Sequence, residues 1–125
     1  MDTVITVIQV ALTLVFTGGA LTKLTLPYTR FSKLPFQAWA IDFKPQHIRL
    51  IGVLEACAAI GLIVPLFLHS LKILTPLAAG GMALVMSGAM ATHLRRSEYF
   101  NMGGNAMWLA LALIVTYWRL MELAV

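Results

Sequence analysis

Residues 48–68, IRLIGVLEACAAIGLIVPLFL, decide the fold of this chain. A run of about 20 predominantly apolar residues can cross the hydrocarbon core of a bilayer as a helix. Three further stretches of the same kind lie at residues 4–24, 71–94 and 104–123. The sequence therefore predicts an all-α fold, a four-helix transmembrane bundle, in which residues 1–125 form a single domain.

The composition also indicates an integral membrane protein. Of the 125 residues, 60% are hydrophobic and only 11% are charged, whereas soluble domains have about 45–50% and about 25%. So few charges could not cover the surface of a small soluble domain. A soluble enzyme and a disordered chain are therefore excluded. The single cysteine, Cys57, excludes an intrachain disulfide scaffold and a dithiol redox pair.

The basic residues predict how the chain is oriented. Lys72 and Arg119 lie on one side of a four-span arrangement, and seven basic residues lie on the other. These seven are Lys23, Arg30, Lys33, Lys44, Arg49, Arg95 and Arg96. Because positive loops stay in the cytoplasm, we expect loops 25–47 and 95–103 to be cytoplasmic and both termini to lie outside, with the inverted topology as the alternative. No basic stretch resembles a nucleic-acid site, so no nucleic-acid partner is expected.

Two further features concern the membrane. The N-terminal stretch has no basic region and no small-residue cleavage site, so we expect it to remain in the mature protein. The first connection carries five aromatic residues, which indicates a segment at the depth of the lipid headgroups. Small residues recur in the spans and favour a compact bundle. Whether every small-residue face is used within one bundle is open, and we favour a homodimer.

Glu55 is the most informative residue, since it lies inside an apolar span. At 1.5 Å per residue it stands about 10 Å below the basic side. A carboxylate at such depth costs at least about 2.5–3.5 kcal/mol, so Glu55 should face the bundle interior, pair with a donor or keep its proton. We predict that Glu55 handles protons or anchors a ligand. The alternative is an interhelical hydrogen-bonding residue.

Four other polar residues converge on the same half of the bilayer. His93 ends the third span, and an imidazole suits proton exchange with Glu55 or with a ligand, although contact with lipid headgroups is an alternative. Lys23 ends the first span and is either the counter-ion of Glu55 or a residue that snorkels to the interface. Asn101 and Asn105 begin the fourth span. We predict a ligand pocket formed by Lys23, Glu55, His93, Asn101 and Asn105, with Glu55 and His93 as catalytic residues.

The remaining sequence features either lack the motifs of a metal or cofactor site or are interpreted as membrane anchors. The three histidines have no HExxH or paired-ligand spacing, so no metal site is expected, and no motif predicts a resident cofactor. Arg95 and Arg96 are interpreted as topology anchors. Trp108 is interpreted as an interfacial anchor of the fourth span.

Four segments together resemble a known family. They are FTGGALTKL at 16–24, IRLIGVLEACAAIGLIVP at 48–65, TPLAA at 75–79 and THLRRSE at 92–98. In this order they resemble the DoxX-like family of small four-helix membrane proteins. The positions that match are Lys23, Gly52, Glu55, Pro65, His93 and Glu98.

The resemblance implies a multi-pass protein of the bacterial inner membrane. Members are named as membrane subunits or oxidoreductases after a relative associated with quinone-linked thiosulfate oxidation. More distant relatives include a chaperone of receptor assembly, so the fold alone does not imply catalysis.

Two hypotheses follow. In the first, the bundle binds a quinone or another lipid near Glu55 and supports quinone-linked redox chemistry. Glu55 and His93 would then exchange protons, while a partner protein or the bound quinone carries electrons. In the second, the chain is a non-catalytic scaffold or assembly chaperone for another membrane protein.

Overall fold

The computed structural model describes all 125 residues, Met1–Val125, and contains helices but no strands. The helices are α1 (Asp2–Thr25), α2 (Tyr28–Phe31), α3 (Pro45–Ile63), α4 (Leu74–Arg95) and α5 (Tyr99–Ala124). Four of them, α1, α3, α4 and α5, are long and apolar enough to cross a membrane. The prediction of an all-α, four-helix transmembrane bundle is confirmed.

The four long helices form a ring around a shared core. Helix α1 packs against α3, α3 against α4, α4 against α5, and α5 returns to α1. The buried core draws one or more residues from every long helix, including Leu12, Leu62, Met82 and Val115. The first and third connections therefore lie at one end of the bundle, and the two termini lie at the other with residues 64–73.

All four helices differ in their bounds from the predicted spans. Helix α3, predicted to reach residue 68, ends at Ile63 because Val64–Leu66 forms a 3₁₀ turn. Helix α4 begins at Leu74, because His69–Leu71 forms a separate 3₁₀ turn. Helix α5 begins at Tyr99, before the predicted residue 104. Hydropathy locates only the apolar part of a helix, whereas backbone hydrogen bonds continue through polar residues such as Asn101.

The connection between α1 and α3 folds over the bundle, and residues 26–44 are called the cap. Phe31 and Ala40 of the cap are fully buried with Ile48 in a small separate core. The Tyr28 hydroxyl lies 3.0 Å from the carbonyl oxygens of Ala40 and Phe43, where it can donate to either. The aromatic residues of this connection thus pack partly on one another. The end of the bundle that carries the cap is called the cap end.

The opposite end, here called the terminal end, is held by a polar network. Buried Gln9 donates from Nε2 to the Leu62 carbonyl at 2.5 Å, which connects α1 to the last turn of α3. Arg119 of α5 donates to Gln9 Oε1 at 3.1 Å, and its other nitrogens bond to Asp2, Thr6 and Glu122. These bonds close the ring between α5 and α1.

Candidate functional site

A partly open cavity of about 930 Å³ lies at the cap end. All four long helices and the cap contribute to its wall. The apolar part of the wall includes Val15, Phe16, Val85, Met86 and Trp108. The polar part includes Lys23, Glu55, Thr92, His93, Arg95, Asn101 and Asn105. The structure therefore places all five residues of the predicted ligand pocket around one cavity.

Lys23 and Glu55 form a buried ion pair between α1 and α3. Lys23 Nζ lies 2.7 Å from Glu55 Oε1, and the two side chains are only 11% and 10% exposed. The ammonium also stands 5.6 Å from the centre of the Phe31 ring of the cap, within the range of a cation–π contact. Lys23 is thus the counter-ion of Glu55 in this structure and does not extend towards the interface.

Two glycines allow these side chains to approach each other. A Cβ on Gly19, one turn before Lys23, would stand 2.0 Å from Glu55 Oε2. A Cβ on Gly52, almost one turn before Glu55, would stand 3.0 Å from the Cβ of Lys23. The sequence contained this signal, because residues three or four apart share a helix face. Our interpretation of small residues as general packing did not assign these two glycines to the site.

His93 is held by Glu98 across the turn between α4 and α5. The two side chains meet at 2.9 Å between His93 Nδ1 and Glu98 Oε1. Ser97 takes a positive φ of 57°, and the backbone N–H of Glu98 donates to the His93 carbonyl. The hydrogen bond from His93 holds the pKa of the Glu98 carboxyl below its usual value. The edge of Trp39 packs against the imidazole at 6.2 Å between ring centres.

Each of the two predicted catalytic residues therefore has its own partner. Glu55 pairs with Lys23, and His93 pairs with Glu98. Nε2 of His93 makes no hydrogen bond within the protein and is the ring nitrogen free to meet a ligand. Proton exchange between Glu55 and His93 stays a prediction.

Arg96 connects the cap to the turn after α4. Its guanidinium lies 3.0 Å from Asp42 of the cap and 3.3 Å from Glu98. The hydrogen bond to Asp42 above all, together with the ion pair with Glu98, raises the pKa of Arg96. Whatever its part in topology, Arg96 also fixes the cap against the α4–α5 turn.

Asn101 makes a second connection to the cap. Its amide donates to the Phe36 carbonyl at 2.8 Å. Phe36 has a positive φ of 66°, which is unusual for a bulky residue. Its ring stacks on Phe100 of α5 at 5.1 Å between ring centres. Asn101 thus lines the cavity while it holds the cap.

Arg95, Asn105 and Trp108 line the cavity with no comparable role in holding the cap. Arg95 takes part in no ion pair. Trp108 packs against the bundle core, although the sequence had suggested an anchor at the interface. Arg95 and Trp108 were not assigned to the site from the sequence. A residue next to a polar segment has the same sequence pattern whether it faces lipid or the bundle interior.

The structure groups no three His, Cys, Asp or Glu side chains that could hold a metal ion. The cavity instead combines an apolar wall with polar groups near the cap, an arrangement suited to an amphipathic organic molecule.

Comparison with known proteins gives one match. The model of the DoxX-like family matches residues 7–115, which include the ion pair, His93, Glu98 and the cavity wall contributed by α5. No curated protein and no solved structure matches the chain. The chain therefore belongs to the DoxX-like family of membrane proteins.

Proposed function

We propose that this protein binds a small lipid-soluble molecule, a quinone or another lipid, in the cavity of the cap end. The observation that carries the proposal is the composition of the cavity wall. An apolar surface from Phe16, Met86 and Trp108 continues into polar groups that include His93 and Asn105. A volume of about 930 Å³ is in the upper range of sites for small molecules. An apolar chain with a polar head matches both parts of this wall.

Quinone-linked redox chemistry is the catalytic form of this proposal. Reduction of a quinone to a quinol takes up two electrons and two protons. The electrons would come from a redox partner protein, because no motif in the sequence predicts a resident redox cofactor and a single cysteine cannot form a dithiol pair. His93 and Glu55 are the cavity side chains suited to exchange the protons.

A second candidate is a scaffold or assembly chaperone for another membrane protein, and one observation favours it. In the most apolar window of α5 only 11% of the residues are buried, against 28–39% in the other three transmembrane helices. Lipid, a second copy of the chain or another membrane protein would cover the outer face of α5.

The test is native mass spectrometry of protein extracted in a mild detergent, followed by lipid analysis of what is released. Gly104 lines the cavity, and a Cβ there meets no atom within 4 Å, so the larger side chain of Gly104→Leu should obstruct part of the cavity. Gly103 also has open space but lies outside the cavity wall, so Gly103→Leu is the matched control. We expect a quinone or lipid to remain on wild type and on Gly103→Leu and to be lost from Gly104→Leu.

The other outcomes decide between the candidates. A quinone or lipid that stays equally on all three proteins would place it on the outer surface and contradict binding in the cavity. A second polypeptide in place of a small molecule would favour the scaffold. Glu55→Gln then tests the role of the carboxylate, since it keeps the shape but removes the charge that pairs with Lys23.

A further inference from the structure

The cap end contains more positive charge than its carboxylates can balance. Seven Lys and Arg residues belong to this end, together with three carboxylates. The ion pairs are Asp42 with Arg96, Glu55 with Lys23, and Glu98 with both His93 and Arg96. Five basic residues have no carboxylate partner in the protein, namely Arg30, Lys33, Lys44, Arg49 and Arg95.

Of these five, Arg95 alone lines the cavity. It lies in the last turn of α4, where the helix end supplies only about half a negative charge. Asn105 stands on the same wall, and its side chain makes no hydrogen bond within the protein. His93, whose Nε2 makes no hydrogen bond within the protein, also belongs to this wall. The polar part of the cavity thus offers a cation and two further polar groups without partners.

The chemistry of Arg95 narrows the class of ligand. A guanidinium presents a planar fork of N–H donors that matches a carboxylate or a phosphate. Arg95 is exposed, so water solvates its charge when no ligand is bound. An anionic head would add a counter-ion there, which a neutral quinone head does not supply. The wall contributed by α4 extends from Met82 to Arg95, which is about 20 Å at 1.5 Å per residue. That length suits a long acyl chain.

We propose that the ligand of the cavity is an anionic amphiphile whose carboxylate or phosphate pairs with Arg95 while its acyl chain lies along the wall towards Met82. This inference rests on the proposed function, because it names the ligand class of the same cavity. The anionic head is either the carboxylate of a free fatty acid or the phosphate of an anionic phospholipid.

The experiment uses the full chain in nanodiscs of phosphatidylcholine. The first probe is 9,10-dibromostearate, and its uncharged comparator is the methyl ester of the same acid. Bromine quenches tryptophan fluorescence at short range, and Trp39 and Trp108 both line the cavity. The cavity signal is the saturable part of the quenching that Gly104→Leu lowers, since its side chain obstructs the cavity and leaves contact with bulk lipid unchanged.

The variants isolate the charge of Arg95. Because Arg95 is exposed and its pair with an anion is screened by water, the acid should saturate the cavity at about two- to fivefold lower concentration than the ester. In Arg95→Gln this preference of the cavity for the acid should disappear. Arg49→Gln is the matched control, because Arg49 has no ion pair and lies outside the cavity wall. It should keep the wild-type preference.

A second pair of probes distinguishes the two sources of the anion. Phosphatidylglycerol and phosphatidylcholine with the same dibrominated chains replace the acid and the ester. Arg95-dependent preference for the fatty acid alone assigns a free carboxylate, and the same preference for phosphatidylglycerol alone assigns a phospholipid.

The inference is overturned if neither anionic probe is preferred over its comparator, or if Arg49→Gln removes the preference as fully as Arg95→Gln. Equal, saturable and Gly104-sensitive quenching by the acid and the ester would overturn the anionic class yet leave ligand binding in place. Absence of any Gly104-sensitive quenching, together with a bare bundle in native mass spectrometry, would overturn the proposed function as well.

Discussion

The two ends of the bundle use buried polar groups in opposite ways. At the terminal end a single guanidinium, that of Arg119, bonds to four side chains, three on α1 and one on its own helix. At the cap end Lys23 pairs with Glu55 and His93 pairs with Glu98. Lys23, Glu55 and His93 line a cavity of about 930 Å³. One end is fastened by its polar residues and the other is lined by them.

This difference indicates which end carries the function. The network at the terminal end, with Gln9 buried and with Asp2 and Glu122 exposed, stabilises one arrangement of the helices through the hydrogen bonds of Arg119. The cavity wall at the cap end includes two polar side chains without a partner in the protein, those of Arg95 and Asn105, and these side chains can bind a ligand. Substitutions at the terminal end should therefore change stability alone, and those at the cap end should change stability, ligand binding or both.

The largest expected effect comes from breaking the Lys23–Glu55 ion pair. Lys23→Met should lower the free energy of unfolding by about 3–5 kcal/mol, because it leaves a buried carboxylate without its partner. Thermal unfolding in a mild detergent, followed by circular dichroism, measures this loss. The double variant Lys23→Met with Glu55→Leu is the control and should recover most of it, since no buried charge is left alone. Equal losses in the single and double variants would show that the pair is not coupled.

The next effect concerns the terminal end. Gln9→Leu should destabilise the bundle by about 2–3 kcal/mol, because the Leu62 carbonyl and Arg119 each lose a buried partner. Bound ligand in native mass spectrometry should be unchanged, since Gln9 lies outside the cavity wall. If ligand were lost while the bundle stayed folded, the two ends would be coupled. The terminal end would then affect ligand binding as well as stability.

A smaller effect separates two adjacent glycines of α1. Gly19→Ala should cost about 1–3 kcal/mol, since its Cβ would stand 2.0 Å from Glu55 Oε2 and displace a carboxylate already held by Lys23. Gly18→Ala meets no atom within 4 Å and should stabilise the helix by about 0.5–1 kcal/mol. Thermal unfolding should show a lower melting temperature than wild type for Gly19→Ala and a higher one for Gly18→Ala. Stabilisation by both variants would mean that the Glu55 carboxylate moves aside at little cost.

Some of this arrangement could be predicted from the sequence, and the reason is the bilayer. Apolar runs of about 20 residues define the four transmembrane helices, because every backbone polar group in lipid must be bonded within its own segment. An acid within such a run must face inward. Glu55 and the convergence of polar residues at the cap end could therefore be recognised without a structure.

The remaining features depend on distances that the sequence does not contain. Whether Lys23 meets Glu55 or extends to the interface depends on the close approach that Gly19 and Gly52 permit. The two neighbours Arg95 and Arg96 have the same pattern, yet Arg96 bonds to Asp42 whereas Arg95 lines the cavity. The different contacts of Arg95 and Arg96 depend on the conformation of the turn after α4, which the helical periodicity of the sequence does not predict.

The smallest expected effect is the pH dependence of the turn between α4 and α5. The hydrogen bond from His93 lowers the pKa of the Glu98 carboxyl, so the ionised form is favoured in the folded protein. The contribution to stability is complete above the ordinary glutamate value of about 4.3 and is lost as the pH falls through the lowered pKa. It should not exceed about 1 kcal/mol, because Glu98 is partly exposed and its pair is screened by water.

Thermal unfolding between about pH 6.5 and 3.5 tests this assignment, since the range spans the usual glutamate pKa. Glu98→Gln should melt below wild type at the upper end of the range, and the two curves should converge at the lower end. A His93→Gln background should remove most of the convergence, because the hydrogen bond from His93 is the largest cause of the shift. Parallel curves in the wild-type background would show that Glu98 contributes to the turn only by its shape. His93 would then be oriented by the backbone around Ser97, and the cap end would contain one coupled ionic pair fewer than the geometry indicates.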